Sequence, residues 1–418
     1  MKQKTLRIIR DMRQQPLVST VTFIATVLSI FLFMAVVITT RVKVVPFAPE
    51  SCRDRLLMGR YIHIKAIEGD MDSSGGMSDY IAHKLYYGLE GVECASCYQS
   101  LISKTAAGTE GKYFNVFTRL TDADFFKVFD HKLIAGRYYT PEEAASNLPM
   151  AVISERTARR AFGTVDCVGQ SISINHRKHT VTGVVSDHSF LATNACGDVF
   201  MAHGYDENPD PFGDTTVALL VKDGVDFSSV RDQVKARYAE YDTELKAEGR
   251  RAIFHESPFD QATIAGGVPY SNGTPDSNSD NYLRLGLYAL LLLVPAINLS
   301  SLLHSRMRKR ISEIGVRRAF GCTRLRIITD IVWENFLVTL VGGLVGVALG
   351  VTFAMTYSGM YENWENYGSG IAPSLEAVIN WGTIGIAVGV CFILNLLSAS
   401  VPAWQASRLN PVEAINAK

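Results

Sequence analysis

Residues 17–40 read LVSTVTFIATVLSIFLFMAVVITT and contain no charged residue. A helix of this length covers about 36 Å, which is enough to cross a bilayer core of about 30 Å. A cleaved signal peptide is the alternative, because the basic start at residues 2–13 would fit one. Signal peptides have an apolar run of only about 7–15 residues that ends at a small-residue site, whereas this run continues to Arg41. The stretch therefore predicts an uncleaved membrane anchor.

Three further stretches are also free of charge, at residues 285–303, 335–361 and 377–407. Buried helices of a soluble protein are the alternative, but four stretches of this length in one chain favour membrane helices. The chain has 418 residues with 41 basic and 41 acidic side chains, so it has no overall charge that would attract nucleic acid. The sequence therefore predicts a multi-pass membrane protein with four helices.

The distribution of Lys and Arg predicts the orientation of these helices, because positive residues mark the cytoplasmic side. The N-terminal arm is basic, and the connection between the second and third stretches is denser still. Residues 361–367, between the third and fourth stretches, contain no Lys or Arg. Both termini are therefore expected in the cytoplasm and residues 41–281 outside. The predicted order is a cytoplasmic arm at 1–16, membrane helix 1 at 17–40, an extracytoplasmic domain at 41–281, membrane helix 2 at 282–304, a cytoplasmic coupling loop and helix at 305–328, membrane helix 3 at 329–357, an outer loop at 358–377, membrane helix 4 at 378–403 and a cytoplasmic tail at 404–418.

The large outside region mixes strand and helix patterns and is predicted to be α+β. Residues 61–67 alternate in polarity as a half-buried strand does, and two further runs rich in β-branched residues follow at 178–185 and 216–221. Helices are predicted after the capping box that begins at Thr140, after the weaker start at 121–124, and over 227–249. Residues 266–280 are rich in Gly, Ser and Asn and predict a flexible connection.

The chain contains none of the common catalytic signatures. A Gly-x-x-x-x-Gly-Lys-Ser/Thr phosphate loop, a His-Glu-x-x-His zinc motif and a Gly-x-Ser-x-Gly nucleophile elbow all fail to occur. The sequence therefore predicts a non-catalytic subunit with no cofactor or metal of its own. If ATP and Mg²⁺ are used, we expect them to bind to another chain.

Cys94 and Cys97 form a Cys-x-x-Cys, but no second pair is spaced to complete a tetrahedral zinc site. Structural thiols, disulfides and a redox role all remain open for the cysteines of the outside region, whose pairing cannot be deduced. These cysteines are Cys52, Cys94, Cys97, Cys167 and Cys196.

Small and polar residues mark two of the apolar stretches. The third carries Gly342, Gly346 and Gly350, and Gly-x-x-x-Gly spacing lets helix backbones approach closely. This packing could lie within one subunit or between subunits. Asn298 and Asn395 must find hydrogen-bond partners, most simply on neighbouring helices.

The connection between the second and third stretches carries the most informative motif. A basic segment that only fixes topology or touches anionic lipid would explain its charge. It would not explain the apolar residues interleaved with charged ones, a pattern that predicts a short amphipathic helix closed by Gly321. Such a helix can lie in a groove of a cytoplasmic partner. The predicted partner-binding residues are Glu313, Ile314, Gly315, Val316, Arg317, Arg318, Ala319 and Phe320.

The stretch SEIGVRRAFG at residues 312–321 resembles the hallmark of the FtsX-like permease family, which includes the membrane parts of macrolide-exporter (MacB-type) and lipoprotein-releasing transporters. The C-terminal stretch at 402–414 resembles the usual finish of that family, and Ile297-Asn298-Leu299 also fits. In the outside region, short motifs from Asp124 to Val185 resemble a MacB-type periplasmic core. The resemblance covers essentially the whole chain, although the outside motifs are looser.

The resemblance implies a permease subunit of an ABC-type complex in a bacterial inner membrane. Members of the family work as dimers and act as mechanical levers, so that ATP-driven closure of a cytoplasmic ATPase reaches the outside domain. The first two membrane helices would extend into that domain as a stalk. Because MacB-type exporters carry a fused ATPase that this chain lacks, we expect a separate ATPase here, together with a second permease copy or a related permease and an envelope substrate or protein.

Two other functions remain open at this stage. A member of the same superfamily could transport nothing and instead activate an envelope enzyme such as a cell-wall hydrolase. A receptor-like membrane protein would have no ATPase partner at all. The amphipathic stretch at 313–320 favours the permease, since a docking helix needs that pattern.

Overall fold

The computed structural model describes residues 16–109, 111–267 and 319–363, together with Tyr282, Gly286, Val316, Gly382, Gly385, Gly389 and Ile393. The chain divides into two compact units. The first comprises Met1–Thr39, Asn281–Met355 and Val378–Lys418, and the second comprises Thr40–Asp280 and Thr356–Ala377. We call the first the membrane-type unit and the second the outside unit, after the sequence predictions.

Within the described residues, short α-helices alternate with strands over most of the chain, and the long helices are α1, α6 and α8. The helices are α1 Pro16–Arg41, α2 Asp79–Tyr86, α3 Phe125–Val128, α4 Pro141–Ala145, α5 Glu155–Phe162, α6 Phe227–Ala247, α7 Gln261–Gly267 and α8 Arg324–Asn363. The strands are β1 Leu56–Gly59, β2 Tyr61–Ala66, β3 Asp72–Gly76, β4 Val92–Gln99, β5 Ile102–Ala107, β6 Tyr113–Thr121, β7 Leu133–Gly136, β8 Met150–Ser154, β9 Ser171–Ile174, β10 Arg177–Val185, β11 Val199–Ala202, β12 Thr215–Val221, β13 Arg250–Ala252 and β14 Phe259–Asp260.

In the membrane-type unit, the described helices are α1 and most of α8. Helix α1 covers the whole first apolar stretch, and α8 extends beyond the predicted third segment at both ends. Among the described residues, no helix combines the length and the apolar character needed to cross a membrane. The predicted second and fourth segments lie outside the described residues apart from a few isolated positions, as do Asn298 and Asn395. The four-helix topology therefore stays a prediction.

Helices α1 and α8 pack closely where α8 carries its glycines. A Cβ added at Gly346 would lie 2.9 Å from both Ile30 Cβ and Val27 O, and one at Gly350 would lie 2.7 Å from Met34 Cβ. Only glycine leaves room for this approach. The Gly-x-x-x-Gly spacing of α8 therefore serves packing within one chain, and the Phe31 ring adds an edge-to-face contact with Phe353 at 5.6 Å.

The outside unit is α+β, as the sequence predicts. Its described strands form a large sheet in the order β11-β8-β10-β9-β5-β6-β4-β12-β1-β14, in which β7 pairs with β10. Because β11 also pairs with β6, the strands β6, β11, β8, β10, β9 and β5 form a closed circuit with few free edges. A small sheet in the order β13-β2-β3 lies beside this large one.

Three hydrophobic cores hold these layers together. The first joins the small sheet, β12 and the helices α2 and α6, and α6 buries one face through Val230, Val234, Tyr238, Tyr241 and Leu245. The second surrounds α3, and the third packs α5 against the closed circuit of strands. Strand β12 is buried along its whole length, as expected for a central strand covered on both faces.

Most of the elements predicted from local patterns are present. Strands β2, β10 and β12 and helix α6 fall where the sequence predicts them, and Thr140 and Glu143 form the predicted capping box at α4. The expected start of α3 is also there, but the Phe125 amide donates to Asp122 Oδ1 at 2.9 Å and the Asp124 side chain makes no cap.

Two predictions are wrong in detail. Strand β2 is not half-buried, since residues 62–64 are all covered. Gly266 and Gly267, predicted to belong to the flexible connection, are instead the last two residues of α7. Helix α1 ends at Arg41, whose carbonyl accepts from Val44 and Val45, and the next residue, Pro46, has no amide to donate. The stalk stays a prediction, because the second membrane segment lies outside the described residues apart from isolated positions.

Candidate functional site: the coupling segment and a buried joint

The predicted coupling helix at 313–320 lies mostly outside the described residues. Val316 and Ala319 are helical, and the Phe320 amide donates to Val316 O at 3.1 Å. Gly321 has a φ of +88°, the left-handed conformation in which helices commonly end. The helix therefore ends at Gly321, the residue at which the sequence predicts its end.

The side chains at the end of this helix are open to contact. Phe320 is 89% exposed and Val316 is 44% exposed. Two residues after Gly321, the carbonyl of Thr323 accepts from Arg326 and Ile327 and begins α8. A large apolar side chain left uncovered at a helix end is what a partner groove requires.

A second candidate site lies in the outside unit, where the chain leaves α1. Arg53 is fully buried and donates from Nη1 to the carbonyls of Val42 at 2.6 Å and Val45 at 3.1 Å. From Nη2 it donates to Leu191 O at 2.9 Å, and its guanidinium lies 4.3 Å from the centre of the Phe47 ring. One side chain therefore ties the segment after α1 to a loop 138 residues further along the chain.

Glu50 neutralises this arginine and holds the same loop. Its Oε2 accepts from Arg53 Nε at 2.5 Å, and both side chains are fully excluded from solvent. Its Oε1 accepts from the backbone amides of Asn194 at 2.8 Å and Ala195 at 3.0 Å. A buried charge pair needs this additional hydrogen bonding to offset its desolvation.

The segment that leads toward the second apolar stretch contacts the same loop and the same segment after α1. Gln261, the first residue of α7, donates from Nε2 to Lys43 O at 2.7 Å. Its Oε1 accepts from Asn194 Nδ2 at 3.1 Å. We call Glu50, Arg53, Asn194 and Gln261 the joint, because together they connect both chain ends of the outside unit to one loop, residues 189–196.

The sheet holds this loop from its other side. Arg119 on β6 is buried and donates from Nε to Cys196 O at 3.0 Å and from Nη2 to Thr193 O at 3.1 Å. Burial also raises the pKa of the Cys196 thiol to about 11, so this sulfur stays protonated. The joint is therefore connected through residues 189–196 to β6.

The described cysteines of the outside unit do not pair with one another. They are all free thiols, and because Cys94 and Cys97 lie three residues apart on β4, they face opposite sides of the sheet. Burial raises the pKa of Cys94 and of Cys167 to about 11. Within the described part of the chain, no group of three His, Cys, Asp or Glu side chains could hold a metal ion.

Sequence reasoning missed every residue of the joint. The usable signal was Glu50 and Arg53, two opposite charges three residues apart directly after an apolar helix. Nothing local marks Asn194 or Gln261, because their contacts span 144 and 218 residues.

Comparison with known families agrees with both parts of this architecture. Residues 18–237 match the MacB-like periplasmic core domain, and residues 285–411 match the FtsX-like permease C-terminal domain. The chain belongs to this family of MacB-type, FtsX-like ABC transporter permeases.

Individual relatives show how the chain compares in length. The macrolide export ATP-binding/permease protein MacB of Bdellovibrio bacteriovorus is 26% identical over 287 residues, covering 68% of this chain and 41% of that protein. This chain thus spans about two fifths of that relative. YknZ, an uncharacterized ABC transporter permease of Bacillus subtilis, is 23% identical over 337 residues, covering 78% of this chain and 77% of YknZ. The periplasmic region of MacB from Actinobacillus actinomycetemcomitans superposes with a TM-score of 0.33 at 15% identity, covering 51% of this chain and 94% of that one.

Proposed function

We propose that this chain is the membrane subunit of an ABC-type complex and transmits ATP-driven movement from a separate cytoplasmic ATPase to the outside unit. The chain itself performs no catalysis, and ATP and Mg²⁺ bind to the partner. It crosses a bacterial inner membrane four times with both termini in the cytoplasm, and it works as a dimer with a second copy or a related permease. The movement serves export or release of an envelope substrate.

The joint is the observation that carries this proposal. A lever needs a rigid connection between the element that is moved and the domain that responds. Here the segment after α1 and the segment before the second apolar stretch are both fixed to residues 189–196 by buried hydrogen bonds. A shift of α1 that moves the segment after it would therefore be passed to the loop and, through Arg119, to the large sheet.

The cytoplasmic end of the lever is the segment 313–320. Phe320 and Val316 provide exposed apolar surface, and Arg317 and Arg318 supply charge for acidic groups on an ATPase. Helix α8 begins only three residues after Gly321, so movement of a docked segment passes directly into a long helix. At 1.5 Å per residue, the 40 residues of α8 span about 60 Å.

The test is a mild-detergent purification of the tagged full chain from its native host, with vanadate-sensitive ATPase activity measured on the eluate. Wild type is compared with a Glu313→Lys, Arg317→Glu variant and with Lys309→Glu, a matched charge change outside the motif. We expect the ATPase to co-purify with wild type and Lys309→Glu and to be lost from the double variant. If a folded wild-type protein brings down no ATPase, the docking assignment is wrong and a receptor without an ATPase becomes the better account.

A further inference from the structure

The outside unit contains a cavity of about 520 Å³ between the small sheet and the large one. Strands β1, β2, β4, β6 and β12 form its walls, and the segment 253–259 closes one side. Small-molecule sites in proteins have volumes of about 300–1,000 Å³. The cavity is therefore of a suitable size for a ligand, and none of the functions discussed above uses it.

The described side chains that line the cavity include basic groups but no carboxylates. Its titratable lining consists of Arg60, Arg119, His63 and His255 with three tyrosines, and none of the described residues that line it is Asp or Glu. Arg119 is already engaged, since its guanidinium donates to three backbone carbonyls. Arg60 is not: its Nη2 donates to Ser100 Oγ at 2.9 Å, while its Nε and Nη1 make no hydrogen bond within the described residues.

The acidic groups near this lining are few and lie outside the cavity. Asp214 Oδ1 forms an ion pair with Arg60 Nη2 at 3.9 Å, too long for a hydrogen bond, and accepts from Ser100 Oγ. Asp72 Oδ1 lies 2.5 Å from His63 Nε2 on the far side of that ring. Arg60 thus retains donors for an anionic ligand.

Two stacked histidines extend the polar side of the cavity. His63 Nδ1 lies 2.7 Å from His255 Nε2, and the ring centres are 5.0 Å apart. Burial and the neighbouring His63 lower the pKa of His255, so it is neutral at pH 7. Because the Asp72 carboxylate accepts from His63 Nε2, neutral His63 accepts at Nδ1 from His255 Nε2. The other nitrogen of neutral His255, Nδ1, is then an acceptor and has no partner within the described residues.

The rest of the lining mixes apolar side chains with small polar ones such as Ser74, Thr216 and Ser257. Met58, Ile62, Ile253, Phe259 and Ile264 all line the space. A site with an apolar wall and a few converging polar groups selects a molecule that has an apolar body and one charged end.

The cavity also borders the joint. Asn194, which binds both Glu50 and Gln261, lines it, and so does Ile264 on α7. A ligand that contacts Asn194 would therefore alter the hydrogen bonds that fix the two chain ends of the outside unit.

We infer that this cavity binds a small amphipathic anion, with its acidic group at Arg60 and its apolar body against Ile62 and Phe259. Binding of the ligand changes the hydrogen bonds of the joint through Asn194. The assignment does not depend on an ATPase partner, so its test contains none and can fail or succeed independently of the coupling experiment.

The test uses the full chain in nanodiscs of zwitterionic lipid and a photoreactive diazirine-bearing octanoic acid, with diazirine-bearing octylamine as the charge control. Labelled peptides are identified by mass spectrometry after illumination. We expect the acid to label peptides containing Ile62, Ile253 or Phe259, and unlabelled octanoate to compete. The amine should label them about tenfold less, since a charge-assisted hydrogen bond contributes about 1.5–3 kcal/mol.

Variants of Arg60 decide whether the cavity is responsible. Arg60→Gln should lower the labelling about tenfold and Arg60→Lys should retain most of it. Arg55→Gln, which removes a partly buried arginine outside the cavity, should change nothing, and Ser74→Trp should abolish labelling by filling the space. Equal labelling by acid and amine, insensitivity to both Arg60→Gln and Ser74→Trp, or competition by phosphatidylglycerol but not by octanoate would overturn the inference.

Discussion

Arg53 shows what a single buried side chain contributes to this architecture. Its four hydrogen bonds reach the segment after α1, Glu50 and the loop at 189–196, and no part of it is exposed to solvent. Removing one member of a buried pair leaves the other charge without compensation, which costs about 3–5 kcal/mol. The pair is therefore important for holding the joint together even though its net contribution to stability is small.

Replacing Arg53 by Met should lower the free energy of opening of the outside unit by about 3–5 kcal/mol, because the Glu50 carboxylate stays buried. Hydrogen exchange of the amides of β1 and β12 in the intact chain measures this. Arg55→Met is the control, since its partner Glu93 is half exposed and such pairs contribute at most about 1 kcal/mol. Adding Glu50→Gln to Arg53→Met should recover part of the loss, and an effect of Arg53→Met no larger than the control would contradict the assignment.

His131 predicts how the outside unit responds to acid. It is buried among aromatic rings, neither ring nitrogen has a hydrogen-bond partner of normal geometry within the described residues, and burial lowers its pKa well below the usual range. Below about pH 6.5, His131 takes up a proton in the unfolded chain but stays neutral in the folded chain. The free energy of unfolding therefore falls as pH falls, by up to about 1.4 kcal/mol per pH unit.

His131→Phe should reduce this loss of stability between pH 7 and pH 5, because phenylalanine fits the aromatic surroundings and does not titrate. The buried His188, whose pKa is also lowered, should leave part of the slope. Hydrogen exchange of β8 and β11 at several pH values measures the effect, and His176→Asn at an exposed position is the control. A slope equal to that of wild type would show that His131 is protonated in the folded state.

At the scale of elements, the pairing of α1 with α8 depends on glycine at one position above all. Gly346 faces Ile30 and the backbone of Val27, so an added methyl group would meet atoms that cannot move aside. Gly343 lies one turn earlier and faces only the flexible end of Ile30, at 3.3 Å.

Gly346→Ala should destabilise the full chain in detergent by about 1–3 kcal/mol, the usual cost of overpacking. Gly343→Ala should be close to neutral, because the Ile30 side chain can rotate and alanine favours a helix over glycine. Thermal unfolding of the two variants and of wild type measures these changes in stability. Equal effects of the two substitutions would mean that α1 and α8 do not approach at Gly346.

The elements also show which structural features local sequence patterns can predict. The capping box at Thr140 and the β-branched run of β10 were predictable, because each depends on neighbours within a few residues. Strand β2 was placed correctly but its burial was not, since His63 is covered by His255 from a segment 192 residues away. The joint and the cavity form from long-range contacts of this kind, which no local pattern records.

For the whole molecule, the important feature is that both chain connections of the outside unit meet at one loop. Lys43 and Gln261 are joined by a hydrogen bond across 218 residues, and Glu50 and Asn194 complete the connection. In the proposed function, this arrangement passes movement of the segment after α1 to the loop. The proposed ligand of the cavity would contact the same hydrogen bonds through Asn194.

The most direct test of this account is hydrogen–deuterium exchange on the complex of the full chain with its ATPase in nanodiscs, nucleotide-free and trapped with vanadate. We predict that trapping changes exchange together in peptides covering residues 42–53, 189–196 and 258–264, and that an Arg317→Glu variant loses the change. If the ATPase is active and trapped while exchange in all three segments stays the same, the outside unit does not receive the movement and the account is wrong.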